Sequence, residues 1–322
     1  MNIKNNIVMF DTSILSENLG DFIIMDAVTR QMSMAIHDKQ MITMATHDYL
    51  SKRGRRQVKD AGYCLVGGTN LLNSNLLSRK QWKLRWSDLA FLNKAILVGV
   101  GWVDYENKPD RLSSMAWRRI LHSDYIHSVR DEYTEDMLRS AGVTNVLNTA
   151  CATMWGLTKD HCDAVPKLKS NTVVFTLTDY RMNREADKEL ISILLDNYEN
   201  VYFWPQGARD LHYFQSLDVN FPSISVLPPS LYYFDEILDQ QKNGVDYVGT
   251  RLHAGIRALQ KKRRTIILGV DNRANEKAKS YNLTVIDRCN FDQLKEAITS
   301  PLEVKINLPL ENISRFKNQF KV

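Results

Sequence analysis

Along the first half of the chain, short apolar runs alternate with longer stretches of helical period. That alternation predicts strands joined by crossover helices in a parallel sheet. The predicted strands are Ile7 to Phe10, Met41 to Ala45, Tyr63 to Val66, Ala95 to Val100, Tyr125 to Val129 and Asn145 to Leu147. Between them, Glu17 to Met34 carries Phe22, Ile23, Met25, Ala27 and Val28 near the helical period, and Glu132 to Ala141 reads as a helix stopped by Gly142. The pattern breaks at Pro166 and then resumes with strands at Thr172 to Leu177, Val201 to Trp204, Ile224 to Leu227, Val245 to Val248, Thr265 to Leu268 and Leu283 to Ile286. Helical runs such as Glu185 to Asn197 and Leu252 to Lys261 separate them. The expectation is an α/β protein of two Rossmann-like domains, 1–168 and 169–300, with a tail over 301–322 that can pack back on the first. Parallel sheets of this kind hold ligands beyond the carboxyl ends of their strands. Two of them facing a central cleft would place the chemistry at the strand-to-helix turns.

Composition narrows the class. The chain has 322 residues, 44% hydrophobic and 25% charged, which fits a soluble globular protein with two full cores. No run approaches the roughly 18 apolar residues of a membrane span. The start, Met1 to Asn6 leading into a short apolar run, lacks the long apolar core and cleavage site of a secretory signal, so the expected compartment is the cytosol. Cys64, Cys151, Cys162 and Cys289 form no C-x-x-C pair and no zinc spacing, and are expected as reduced thiols. The net charge of +5 is dispersed except at Lys52 to Arg56 and Lys261 to Arg264. Without a basic stripe or an aromatic-basic repeat, nucleic acid is not an expected partner. No metal cage is visible either.

The turns supply the candidate chemistry. After the first strand, Gly20 lets the backbone approach a ligand, while Asn18 and Asp21 either bond that ligand or cap the helix. Gly67 and Gly68, with Asn70 close behind, can line a phosphate or a sugar ring with backbone amides. Val98 to Asp104 begins like a dinucleotide fingerprint, but Asp104 stands where the third glycine belongs, and no phosphate-loop sequence occurs. Arg130 and Asp131 either face the crevice or pair with one another. Arg181 follows the first strand of the second half and offers a planar fork to an anion. The most informative turn is Gly249-Thr250-Arg251-Leu252-His253-Ala254. Leu252, Ile256 and Leu259 share one helical face, which puts Arg251 and His253 off it, in a first turn whose free amides and dipole attract an anion.

Taken in order, Asn18-Leu19-Gly20-Asp21, Gly67-Gly68-Thr69-Asn70-Leu71, Val98-Gly99-Val100-Gly101, Val129-Arg130-Asp131-Glu132 with Ala141-Gly142-Val143, and Gly249-Thr250-Arg251-Leu252-His253-Ala254 resemble the polysaccharide pyruvyl transferase family. The resemblance implies a two-domain fold of the glycosyltransferase-B type. It also implies phosphoenolpyruvate as donor, a sugar diol of a surface or exported polysaccharide as acceptor, and a cyclic pyruvate ketal as product. Arg251 and His253 match the family's donor-site pair, with the Leu252 backbone between them, and Arg181 matches by its place after a strand. The chain departs from the family at Thr69 and Asn70, and at Asn148 to Trp155 where an Asp-Pro-Ala element is common. Both departures bear on the acceptor.

On this resemblance, Arg251 and Arg181 hold the carboxylate and phosphate of the donor. His253 protonates its methylene carbon or balances the departing phosphate, and Asp21 or Asp131 takes protons from the attacking hydroxyls. No cofactor is expected beyond the co-substrate. The acceptor is a glycan or a lipid-linked saccharide, which leaves room for peripheral membrane association. Two other readings compete: a nucleotide-sugar glycosyltransferase of the same architecture, and a noncatalytic glycan- or anion-binding protein using Arg251, Arg257 and the basic loop 261–264.

Overall fold

The computed structural model describes residues 6–33, 37–76, 81–219, 221–240, 244–270 and 280–321. The chain forms two compact units: unit 1 comprises Met1–Ser16, Ile24–Trp155 and Pro309–Val322, and unit 2 comprises Glu17–Ile23 and Gly156–Leu308. No helix among the described residues is long and apolar enough to cross a membrane.

The first stretch of chain contains β1 (Asn6–Asp11), α1 (Leu19–Gln31), β2 (Gln40–Ala45), α2 (Lys52–Asp60), β3 (Cys64–Gly67), β4 (Asn70–Leu72), β5 (Ala95–Val98), β6 (Gly101–Trp102), α3 (Arg111–Ile120), β7 (His127–Val129), α4 (Glu132–Ser140) and β8 (Val146–Asn148). The helix expected over Glu17 to Met34 is α1; Met34 itself lies outside the described residues. In unit 1 the main sheet has the order β2-β1-β3-β5 and is parallel throughout. Ile7, Val8, Met9 and Phe10 are all buried, the continuous apolar run of a strand covered on both faces. β2, at the edge, is largely accessible. Two short parallel pairs, β4 with β6 and β7 with β8, complete the unit. The strand expected over Ala95 to Val100 stops at Val98 because Gly99 turns the chain at φ +65°. The basic run at 52–56 belongs to α2, which Ser51 caps by accepting from the Gly54 amide at 3.1 Å, and its Arg55 reaches the buried Asp88 at 2.9 Å.

His127 is part of the unit 1 core. The Leu97 amide donates to its Nδ1 at 3.4 Å, so Nε2 carries the proton and donates to the His122 carbonyl at 3.0 Å. Burial pulls its pKa down to about 4 and keeps the ring neutral.

The second stretch contains α5 (Lys159–Asp163), β9 (Thr172–Thr176), α6 (Arg184–Asn197), β10 (Asn200–Phe203), α7 (Asp210–Gln215), β11 (Ile224–Val226), α8 (Leu231–Gln240), β12 (Asp246–Gly249), α9 (Leu252–Gln260), β13 (Thr265–Gly269), β14 (Val285–Asp287), α10 (Phe291–Thr299) and α11 (Leu310–Asn318). The unit 2 sheet is parallel, in the order β11-β10-β9-β12-β13-β14. Phe175, Phe203 and Phe214 fill the core on one side, with Phe203 and Phe214 stacked at 4.2 Å. The chain passes into unit 2 after Trp155 rather than near 168, because the following segment is bonded into that unit. His161 Nε2 lies 2.8 Å from the Leu259 carbonyl, and the Lys167 carbonyl accepts from Leu302 N at 2.9 Å and Arg264 Nε at 3.1 Å.

α11 returns to unit 1, where it lies against β7 and β8 through the buried Ile313 and Phe316. Asn312 Nδ2 donates to the Asn148 carbonyl at 2.9 Å, and Gln319 exchanges two hydrogen bonds with the Ile126 backbone, at 2.7 and 3.0 Å.

Candidate active site

Three turns at the carboxyl edge of the unit 2 sheet are tied to one another by a buried ion-pair cluster. The turn after β12 brings Arg251, whose side chain is only 4% exposed. Its Nε donates to Asp210 Oδ2 at 3.0 Å and to the Leu177 carbonyl at 3.1 Å. Its Nη2 donates to Asp179 Oδ1 at 3.0 Å and also contacts Asp210 Oδ1. The Tyr180 ring covers the guanidinium, with the carbon 5.0 Å from the ring centroid. Asp179 and Tyr180 come from the turn after β9, and Asp210 from the one after β10.

Asp210 is the hub. Besides Arg251 it accepts from the Gly207 amide at 2.7 Å and from the Gln206 and Asp179 amides at 3.2 Å each. Burial raises the Asp210 carboxyl above its ordinary value, against the pull of Arg251 and these amides. Burial alone would lower the Arg251 guanidinium, but the Asp210 charge holds it above its ordinary value. Gly207 is required here by space, since a Cβ would lie 2.5 Å from Arg251 Nη2. The expected anion clamp is therefore already matched by two carboxylates. Nη1 is the guanidinium nitrogen with no protein acceptor among the described residues.

Arg251 N-caps α9 without a side-chain cap bond; its own amide is held by Thr176 Oγ1 at 3.2 Å and its carbonyl by the Tyr247 hydroxyl at 2.8 Å. The first-turn amides of Leu252, His253 and Ala254 have no intrahelical acceptor. His253 sits half-buried in that turn, and its Nε2 is enclosed with no hydrogen-bond partner among the described residues. Arg181 ends the turn after β9 with an exposed side chain, and Arg209, 79% exposed, pairs with Asp179 at 3.0 Å.

The segment Glu17–Ile23 belongs to the same unit. Asn18 accepts at Oδ1 from the Gly20 amide at 3.0 Å and from Gln206 Nε2 at 2.8 Å, while its carbonyl accepts from the Asp21 amide at 3.0 Å. Asn18 thus caps α1 and steadies the turn after β10. A Cβ at Gly20 would fall 2.9 Å from Gln206 Nε2. Asp21 lies half-buried in the first turn of α1.

The unit 1 candidates turn out differently. A Cβ at Gly67 would meet Met25 Sδ at 2.2 Å, and one at Gly68 would meet the Gly99 carbonyl oxygen at 2.2 Å. Both glycines are explained by close packing within the unit. Arg130 pairs with Asp131 at 3.1 Å and occupies the space beside Gly101, where a Cβ would lie 2.2 Å from its Nε. Asp131 is the N-cap of α4: Oδ1 accepts from the Thr134 amide at 2.8 Å and hydroxyl at 2.5 Å, and Oδ2 from Arg130. Of the two readings of that pair, the structure contains the intramolecular one. Asn70 stands apart, because it is buried with neither Nδ2 nor Oδ1 hydrogen-bonded among the described residues. Thr12 and Thr46, which follow β1 and β2, likewise bury hydroxyls that have no partner.

Sequence reasoning did not single out Asp179, Asp210, Gln206, Thr12 or Thr46. Of the residues assigned to a noncatalytic anion site, Arg257, Lys261, Arg263 and Arg264 are committed elsewhere. Arg257 Nε donates to Asp235 at 2.7 Å, Arg264 is buried with Nη1 2.9 Å from Asp246, Lys261 pairs with Asp239 at 2.5 Å, and Arg263 donates to the Leu238 carbonyl at 2.6 Å.

Compared with known families, the chain matches the one described as Polysaccharide pyruvyl transferase over residues 18–272. Among solved structures it is similar to E. coli heptosyltransferase WaaC with ADP, at a TM-score of 0.45 and 14% identity, covering 91% of this chain and 100% of that one. It is also similar to the same enzyme with ADP-2-deoxy-2-fluoro heptose, at a TM-score of 0.42 and 13% identity, covering 82% and 88%. No curated protein matches it.

Proposed function

The chain belongs to the polysaccharide pyruvyl transferase family, and from that premise we propose that it moves the pyruvyl group of phosphoenolpyruvate onto two hydroxyls of a sugar, closing a ketal and releasing phosphate. The observation that carries this reading is the turn after β12, where an enclosed and unpartnered His253 Nε2 shares a first helical turn with free backbone amides. Such a turn suits a small dianion. In the proposal, Arg251 Nη1, the amides of α9 and the exposed Arg181 receive the carboxylate and phosphate, while Asp210 and Asp179 fix the Arg251 plane.

Protonation of the methylene carbon by His253 makes C2 electrophilic, and one sugar hydroxyl adds to it. The C2–O bond to phosphate then breaks and the second hydroxyl closes the ring. Two hydroxyl protons are released in all: one replaces the proton given to the new methyl group and the other leaves with phosphate. The base of this proposal is Asp21, which lies in the same unit as His253. The acceptor is a glycan or lipid-linked saccharide.

The test mixes the purified chain with phosphoenolpyruvate and a panel of hexose-bearing glycans, measuring phosphate and ketal together. Equal amounts of both are expected with at least one acceptor. His253→Gln should lower turnover by roughly 10²–10⁴-fold with donor binding retained. Failure of every acceptor together with absence of donor binding, or an unchanged rate in the variant, overturns the reading.

A further inference from the structure

α11 lines a half-open pocket within unit 1. α11 and the end of α1 enclose a cavity of about 300 Å³, lined by Gln31, Met32, Leu310, Ile313, Lys317 and Phe320 among others. That volume sits at the lower limit of small-molecule pockets, which run from roughly 300 to 1,000 Å³. The side chains from Met32, Leu310, Ile313 and Phe320 are apolar. Among the described lining residues two are cations, Lys317 and Lys321, and none is a carboxylate.

Lys317 is held in an unusual state for a surface lysine. Its Nζ lies 5.1 Å from the centroid of the Trp155 ring and donates to Gln31 Oε1 at 2.5 Å. Burial pulls its pKa below the ordinary value. A half-buried ammonium with a neutral amide as its acceptor gains from the arrival of an anion. An apolar hollow under two cations is complementary to a molecule with a hydrocarbon tail and an anionic head.

We propose that this cavity binds a single-chain anionic amphiphile, with its tail between Met32, Leu310 and Ile313 and its phosphate or carboxylate head on Lys317 and Lys321. The inference does not rest on pyruvyl transfer, since none of these residues belongs to the site in unit 2. Each methylene added to the tail should tighten binding roughly fourfold until the hollow is full.

The full chain is titrated by calorimetry and tryptophan fluorescence with hexyl, octyl and decyl phosphate below their aggregation limits. Inorganic phosphate serves as the tail-less control and octanol as the headless one. Saturable binding that strengthens along the series is expected, at least tenfold weaker in Lys317→Met, which keeps the apolar stem over Trp155. Leu310→Trp, at an exposed position, should obstruct the hollow and weaken decyl phosphate while leaving the melting temperature of the free protein unchanged. The proposal is overturned by absence of saturable binding, by affinity independent of tail length, or by equal affinity in Lys317→Met. Binding confined to phosphatidylglycerol vesicles, with none to the monomeric alkyl phosphates, also overturns it in favour of a membrane-contacting face.

Discussion

At the carboxyl edge of the unit 1 sheet, Gly67 and Gly68 are pressed against Met25 and Gly99, and Arg130 and Asp131 satisfy one another. At the same edge of unit 2, Arg251, Asp179 and Asp210 join three turns, and beside them a histidine nitrogen is enclosed without a partner. Both edges follow parallel strands, yet they differ in what limits them. Space dictates the glycines of unit 1, where backbone runs against backbone and side chain. Charge dictates the turns of unit 2, where a buried carboxylate fixes the position of an arginine and, through Gly207 and Gln206, of the neighbouring loop. A glycine pair after a strand therefore marks closeness, to protein as readily as to ligand. A polar group left unpaired inside such a turn is the more informative mark, as at His253 and Asn70.

The largest effect that would sharpen this contrast is expected from Asp210→Ala. Removing the central carboxylate of a buried cluster leaves Arg251 with Asp179 alone and strands the Gly207 and Gln206 amides, at a cost of about 3–5 kcal/mol. Hydrogen exchange should show the loss of protection at the turns after β9, β10 and β12, with unit 1 unaffected; equal loosening of both units would erase the distinction. Gly68→Ala comes next. Its new methyl meets backbone that cannot swing aside, so about 1–3 kcal/mol of stability should be lost by thermal melting. Gly67→Ala should cost less, because the Met25 thioether can move. If the two substitutions are equally harmless, packing does not explain the glycines. A similarly small effect is expected from Asp131→Asn: asparagine keeps the helix cap but loses the charge facing Arg130, so about 1 kcal/mol of stability should be lost, with turnover intact. A hundredfold fall in turnover would make Asp131 the base after all.

The strands of both sheets were legible because their apolar residues fall in short dense runs, Ile7 to Phe10 and Val173 to Phe175 among them. Gly142 was legible as the stop of α4 and has φ +87°. β4 and β6 were not, since they span three and two residues inside segments that read as glycine turns. Arg251 and His253 stood out by their place after a strand and off the apolar face of a helix. The carboxylates that hold Arg251 did not, because Asp210 lies 41 residues away in sequence and no local pattern links the two. Arg264 shows the converse: the anion-binding reading put it in a basic loop open to a ligand, but it is buried and bonded to Asp246 and to the Ile298 and Ser300 carbonyls at 3.0 Å.

α11 also sets the order in which the molecule can be completed on the ribosome. Phe316 meets Trp155 edge-on at 5.8 Å, and Phe320 lies 5.8 Å from Tyr63 and 5.7 Å from Tyr125. These three aromatic rings are translated before residues 156–308, and the phenylalanines that cover them after. At roughly 5–20 residues per second, the nascent chain would leave that greasy face bare for on the order of ten seconds, an interval in which a chaperone or a neighbouring chain has the first opportunity to cover it.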